Sequence, residues 1–198
     1  MATTLSEVLG SVRARDAGRC LATIAETWMQ GRTTYGGCSA ALCLEAAHRF
    51  MGGRALPLRS VQVAFTGPAG GEVEIDVASI REGKTMKFIR ADLSTGQGKI
   101  ATTALFSFGA ARSSNFDELK VPIATAVPPP EHCGGLFDGV IGHPQFVTNF
   151  DARLARCFPQ APLPPQLLCR PSHCTSCSSL HARFSGDRSA ACLSIDRE

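Results

Sequence analysis

The sequence predicts an α+β fold, a long central helix wrapped by a curved antiparallel sheet, and three observations predict it. From Ser39 to about Met51 small and apolar residues occupy nearly every side of a helical wheel, as expected of a helix inside a fold. From Leu58 to Phe108 the period changes to two, the pattern of half-buried strands. Tight turn signals at Gly67-Pro68, Gly70-Gly71, Glu82-Gly83 and Thr95-Gly96 divide that stretch into consecutive strands, which predicts an antiparallel meander.

Taken in order, the chain opens with Thr4-x-x-Glu7, the spacing of a capping box, ahead of Leu5, Val8, Leu9 and Val12 on one helical face. Leu21 to Trp28 reads as a first strand. Gln30-Gly31-Arg32-Thr33-Thr34-Tyr35-Gly36-Gly37 is a polar, glycine-rich loop that allows close backbone approach. It delivers the chain to the central helix, which Gly52-Gly53 ends. In the strands, Val61, Val63 and Phe65 alternate with Ser60, Gln62 and Ala64, and Val73, Ile75 and Val77 alternate with Glu72, Glu74 and Asp76. Thr85 to Leu93 and Lys99 to Phe108 supply two more. Past Arg112 the pattern weakens into Pro122, Pro128, Pro129, Pro130 and Gly134-Gly135, a linker composition. Four segments result: a domain over 1–112, a linker over 113–143, a strand start over 144–156 and an irregular Cys/Ser/Pro-rich tail over 157–198.

Composition narrows the functional classes. The 198 residues are 44% hydrophobic and 19% charged, which suits a packed globular domain. Net charge is +3 from scattered Lys and Arg, with no basic run interleaved with aromatics, so nucleic acid is not an expected partner. No stretch approaches the roughly 20 apolar residues of a membrane span, and the cytoplasm is the expected compartment. Of nine cysteines, Cys20, Cys38, Cys43 and Cys133 are dispersed like small buried hydrophobes. Cys169, His173, Cys174, Cys177 and His181 are crowded into one unpatterned segment, a poor signal for zinc, and Gly67-Pro68-Ala69-Gly70-Gly71 lacks the Lys-Ser/Thr ending of a phosphate loop. Neither a metal nor another cofactor is expected.

Six segments then add up to a family signal. Trp28 to Tyr35-Gly36-Gly37, Ala40-Ala41-Leu42, Leu58-Arg59-Ser60-Val61, Phe65-Thr66-Gly67-Pro68, Gly71-Glu72-Val73 and Phe108-Gly109-Ala110-Ala111-Arg112 stand in an order and spacing that resembles the N-terminal hotdog of the acyl-CoA thioesterase II-like family. The resemblance implies a hotdog fold, hydrolysis of acyl-CoA thioesters, and a reactive carbonyl held near the N-terminus of the hotdog helix. Pro128-Pro129-Pro130-Glu131 and Phe146 to Arg153 also resemble that family, where such a stretch begins a second hotdog. The tail from Cys157 departs from the pattern, and a shifted reading frame, a mispredicted exon or a truncated gene is the expected cause.

For the chemistry, free N–H groups and the positive end of a helix dipole stabilise the oxyanion formed when water attacks a thioester. Gly36 and Gly37 stand where such donors are needed, and equally where a tight loop-to-helix turn needs them. The resemblance implies that the family's acid (an Asp) and its Thr and Gln partners lie in the second hotdog, so none is carried over. Glu45 is a local substitute, with the charged stripe beside Arg49 as its plain alternative; His48 reads as a helix-surface or satisfied core histidine. No Ser occupies a G-x-S-x-G elbow. Arg32, Tyr35, Phe65 and Gly67 are the expected substrate-binding residues. Two functions remain: hydrolysis of a fatty acyl-CoA, or a non-catalytic acyl-CoA-binding or dimerisation module. A lone hotdog leaves a strand edge open, so a homodimer is expected.

Overall fold

The computed structural model describes residues 3–53, 56–96, 98–115, 118, 128–154 and 192–194. The chain forms two compact units. The first runs from Met1 to Asp117 and includes Pro144–Asn149; the second comprises Glu118–His143 and Phe150–Glu198.

In the first unit, α1 (Leu5–Gly10) begins with the expected capping box: the Thr4 hydroxyl accepts from the Glu7 N–H, and the Glu7 carboxylate accepts from the Thr4 N–H. Strands β1 (Arg13–Asp16) and β2 (Arg19–Ile24) form a hairpin, and a short 3-10 turn (Glu26–Trp28) follows. The expected strand over Leu21 to Trp28 therefore ends at Ile24, where the chain tightens and the Trp28 N–H donates to the Ala25 carbonyl at 3.0 Å. Strands β3 (Met29–Gln30) and β4 (Thr33–Thr34) make a two-residue-wide hairpin, with Gly31 at φ +71° in the turn.

Helix α2 spans Gly36–Phe50, three residues longer at its start than the composition indicated. Cys38, Leu42, Cys43, Ala46 and Ala47 are completely buried along it. It packs on strands β6 (Gly71–Glu82), β7 (Met86–Thr95) and β8 (Ile100–Gly109), with β5 (Leu58–Phe65) beyond them. Its small residues let the sheet come close, and burying Leu42 alone contributes about 1.5–3 kcal/mol. The sheet order is β1-β2-β6-β7-β8-β5, with every pairing antiparallel. This is the expected helix-on-sheet arrangement with one correction. Strand β5 pairs with β8 and not with β6, so Gly67 to Gly70 is a crossover between opposite sides of the sheet and not a hairpin turn.

One register row explains how the sheet reaches the helix N-terminus. Cys20, Ile75, Leu93, Thr102 and Phe65 are successive cross-strand partners on the helix-facing side. All but the last are buried; Phe65, on the edge strand, is 59% exposed. The opposite face is wet, with Arg19 paired to Glu74 at 2.7 Å and to Asp76 at 2.8 Å.

In the second unit, β10 (Asp151–Leu154) lies between β9 (Gly134–Gly135) and β11 (Cys192–Ser194), both antiparallel. Of the expected tail over 157–198, the described residues are Cys192–Ser194 alone. The remainder of 157–198, with Cys169, His173, Cys174, Cys177 and His181, lies outside the described residues. Cys20, Cys38, Cys43 and Cys133 are free and buried, as their dispersion indicated. Among the described residues no helix is long and apolar enough to cross a membrane, and no cluster of His, Cys, Asp and Glu could hold a metal ion.

Candidate functional site

The loop that leads into α2 is held from several sides. The Tyr35 N–H donates to the Trp28 carbonyl at 2.8 Å, and the Thr34 hydroxyl donates to the same carbonyl at 3.0 Å. The Thr34 N–H donates to the Ala69 carbonyl at 2.7 Å, and the Thr33 hydroxyl accepts from the Ala69 N–H at 3.0 Å. The β3–β4 hairpin is thereby fixed to the crossover. That crossover is fixed in turn to β8, because Thr66 and Gly67 both donate their N–H groups to the Ala101 carbonyl.

Between hairpin and crossover lies an open groove of about 680 Å³, lined by Gln30, Arg32, Thr33, Phe65, Thr66, Gly67 and Pro68. The hairpin brings a guanidinium, an amide and a hydroxyl to it, and the crossover brings an aromatic ring, a second hydroxyl and a proline. Such a lining takes a ligand that has both an anionic and an apolar portion.

Next to the groove, α2 begins. Tyr35 is its N-cap and gives no side-chain hydrogen bond to the first turn. The Gly36 and Gly37 N–H groups precede the first intrahelical bonds and carry the positive end of the helix dipole. Aromatic rings occupy the space both glycines leave. A Cβ on Gly36 would come within 2.9 Å of the tip of the Phe65 ring, and one on Gly37 would overlap the Tyr35 ring. The closely approaching groups are thus the protein's own rings, which frame the N-terminus.

Of the residues the sequence indicated, Arg32, Phe65 and Gly67 line one groove, and Phe65 links it to Gly36. Tyr35 and Gly37 adjoin through the ring that covers Gly37. Glu45 lies apart, eight residues along the helix from Gly37 and so about 12 Å along its axis. Its carboxylate pairs with Arg49 at 3.0 Å on a side chain 15% exposed. His48, half-buried, tilts against the Phe108 ring at 5.4 Å. Gln30, Thr33, Thr66 and Pro68 also line the groove and were not singled out, although all four belong to loops whose glycines had marked them. Burial pushes the thiol of Cys38, in the first turn, up to about 11, despite a hydrogen bond with Thr34 that works the other way, and so disfavours its thiolate.

Comparison with known proteins agrees with the fold. Residues 24–109 match the acyl-CoA thioesterase N-terminal domain. A hot dog fold protein of unknown function from Alicyclobacillus acidocaldarius superposes with a TM-score of 0.65 at 21% identity, covering 79% of this chain and 57% of that one. An acyl-CoA thioesterase II of Mycobacterium marinum gives 0.58 at 19%, covering 82% and 56%. The tesB protein of Mycobacterium avium subspecies paratuberculosis gives 0.54 at 23%, covering 65% and 49%. This chain spans about half the length of these structures. No curated protein matches it. Helix, sheet order and the superposed structures together give the chain a hotdog fold, within which residues 24–109 are similar to the acyl-CoA thioesterase N-terminal domain.

Proposed function

We propose that the groove beside the α2 N-terminus holds a fatty acyl-CoA, and that the protein hydrolyses its thioester to the free acid and CoA. The observation that supports this most strongly is the meeting of a groove containing Arg32 with an uncapped helix N-terminus at Gly36 and Gly37. Arg32 supplies a cation for the phosphates of CoA, and Phe65 and Pro68 supply apolar wall for the acyl chain. When water attacks the carbonyl carbon, the oxyanion gains hydrogen bonds from the Gly36 and Gly37 N–H groups. Loss of one such donor typically costs on the order of a hundredfold or more in rate. Collapse of the intermediate expels the CoA thiolate, which takes up a proton. This chemistry belongs to cytoplasmic lipid metabolism.

A second reading has its own support. Among the described residues that line the groove there is no carboxylate or imidazole, which fits a module that binds acyl-CoA without hydrolysing it. Purified protein incubated with acetyl-, hexanoyl-, decanoyl- and palmitoyl-CoA separates the two. Thiol release above a protein-free control supports the hydrolase; binding of the same compounds with no thiol release supports the module; neither binding nor release overturns both.

A homodimer belongs to this proposal. Strand β5 is an edge of the sheet, and its Val61 and Phe65 are 47% and 59% exposed. Apolar groups on an edge strand favour pairing with a second hotdog. Light scattering across a sizing column tests it: a mass near 42 kDa, twice the 20.9 kDa chain, is expected, and a clean monomer at micromolar concentration contradicts it.

A further inference from the structure

A five-residue 3-10 turn, Gln145–Asn149, lies outside the matched segment 24–109 yet within the same compact unit as the groove. It grips the β3–β4 hairpin at both ends. At one end the Phe146 ring stacks on the Tyr35 ring, with centroids 4.5 Å apart and planes 6° from parallel. At the other end the Asn149 amide donates to the Thr27 carbonyl at 2.7 Å, and also to the Phe146 carbonyl at 3.2 Å. Both acceptors are carbonyls, so only the amide's NH₂ can face them. Val147, between them, is buried, and the turn closes on itself through the Val147 N–H to the Pro144 carbonyl and the Thr148 hydroxyl to the Gln145 carbonyl.

What the turn grips is the loop that leads into α2 and forms one wall of the groove. Tyr35 is half-buried, stands directly before Gly36, and lays its ring over the exposed Gly37. A tyrosine ring moves about two torsions, and swinging across the helix N-terminus would change access to the Gly37 N–H. Gln30, Arg32 and Thr33 hang between Thr27 and Tyr35, the two points the turn fixes. A parallel stack of this kind selects one ring orientation in a way an aliphatic contact does not.

We propose that Phe146 and Asn149 are positioning residues of the acyl-CoA site: they lock the Tyr35 ring over Gly37 and hold the Gln30–Thr33 wall, so the ligand site is completed by chain from beyond the thioesterase domain. The inference rests on the acyl-CoA reading above, and the test separates the two. Tyr35 is the single tyrosine of the sequence, so 3-fluorotyrosine labelling of the full chain gives one fluorine resonance that reports on its ring. In the parent protein that resonance should be displaced by the ring current of Phe146 and should move again on titration with decanoyl-CoA.

Three variants carry the test. Phe146→Tyr keeps a planar ring and should keep the decanoyl-CoA affinity, which alone is read in this variant because it adds a second labelled tyrosine. Phe146→Leu keeps apolar bulk but no plane, and should lose the ring-current displacement and bind decanoyl-CoA about three- to tenfold more weakly, the range a lost aromatic stack corresponds to. Asn149→Ala should weaken binding in the same direction. All affinities are taken on protein shown to be folded by circular dichroism, so a purely structural role would leave them unchanged. Unaltered affinity in a folded Phe146→Leu variant whose fluorine resonance has moved overturns the positioning role and leaves the acyl-CoA reading standing. A parent resonance and binding isotherm blind to decanoyl-CoA overturn that reading, and this inference with it, whatever the variants do.

Discussion

The Phe65 ring lies over Gly36 so closely that a methyl group there would meet its tip at 2.9 Å, and the ring is free to yield because Phe65 is 59% exposed. Gly37 stands in the opposite situation, beneath a Tyr35 ring that Phe146 stacks against. The two glycines should therefore respond differently to the same substitution.

Gly36→Ala should leave thermal stability within about 1 kcal/mol of the parent, since alanine gains helix propensity while the Phe65 ring swings aside. Decanoyl-CoA binding should nevertheless weaken, because that ring leaves the groove wall. Gly37→Ala should cost about 1–3 kcal/mol, the usual penalty of overpacking against a ring that cannot move freely. Urea unfolding of both variants checks the contrast; equal losses would contradict it.

The capping box carries a pH signature. The Thr4 N–H, then the Thr4 hydroxyl, hold the Glu7 carboxyl below its ordinary value of 4.5. A depressed carboxylate stabilises the folded state above its unfolded pKa and loses that contribution as pH falls through the folded one. Thr4→Ala should cost about 0.5–2 kcal/mol near neutral pH. Alanine keeps the backbone N–H that holds Glu7 and loses only the hydroxyl, so that cost should shrink slightly as the pH is taken below 4.5, and a cost independent of pH would show that the hydroxyl's bond to the carboxylate contributes nothing.

Burial sets the behaviour of two thiols in α2. It pushes Cys38 up to about 11 and, with help from the Asp92 charge, Cys43 up to about 12. At pH 8 the Cys38 thiolate is then roughly a hundredfold scarcer than at the ordinary value of 9.0. Iodoacetamide at pH 8, followed by peptide mass spectrometry, should leave both unmodified in the native protein and modify both in denaturant. By linkage these raised values favour the folded state below pH 9 and withdraw that support as pH climbs toward 11 to 12.

Glu45→Ala should be silent in any thiol-release assay and cost only the few tenths of a kcal/mol typical of an i,i+4 ion pair, about 0.3–0.5 kcal/mol. The carboxylate pairs with Arg49 and lies two helical turns from Gly37. A large loss of turnover with unchanged stability would instead make it the base that the groove lining lacks.

How much of this was legible in the sequence follows from the reach of each signal. The core of α2 could be read because Leu42, Cys43, Ala46 and Ala47 give it a broad apolar face, but its first turn read as loop because two glycines open it. At those leading positions helix propensity counts for little. The faces of β6, β7 and β8 followed from alternation, whereas β5's place beside β8 did not, since a period of two reports which way a side chain points and not which strand lies alongside. Strand β1 (Arg13–Asp16) is exposed throughout and shows no alternation to find. That Arg32, Phe65 and Gly67 lie near one another was accessible through the glycine-rich loops that carry them. The Phe146–Tyr35 stack was not, because it joins residues 111 positions apart with no periodic pattern between them.

Hydrogen exchange of the full chain with and without decanoyl-CoA measures the central claim most directly. Slowed exchange over Gln30 to Gly37 and over Phe65 to Gly70, with the rest of the sheet unchanged, is the expected result. Protection confined to other segments, with these two loops unaffected at saturating ligand, would contradict the placement of the acyl-CoA site.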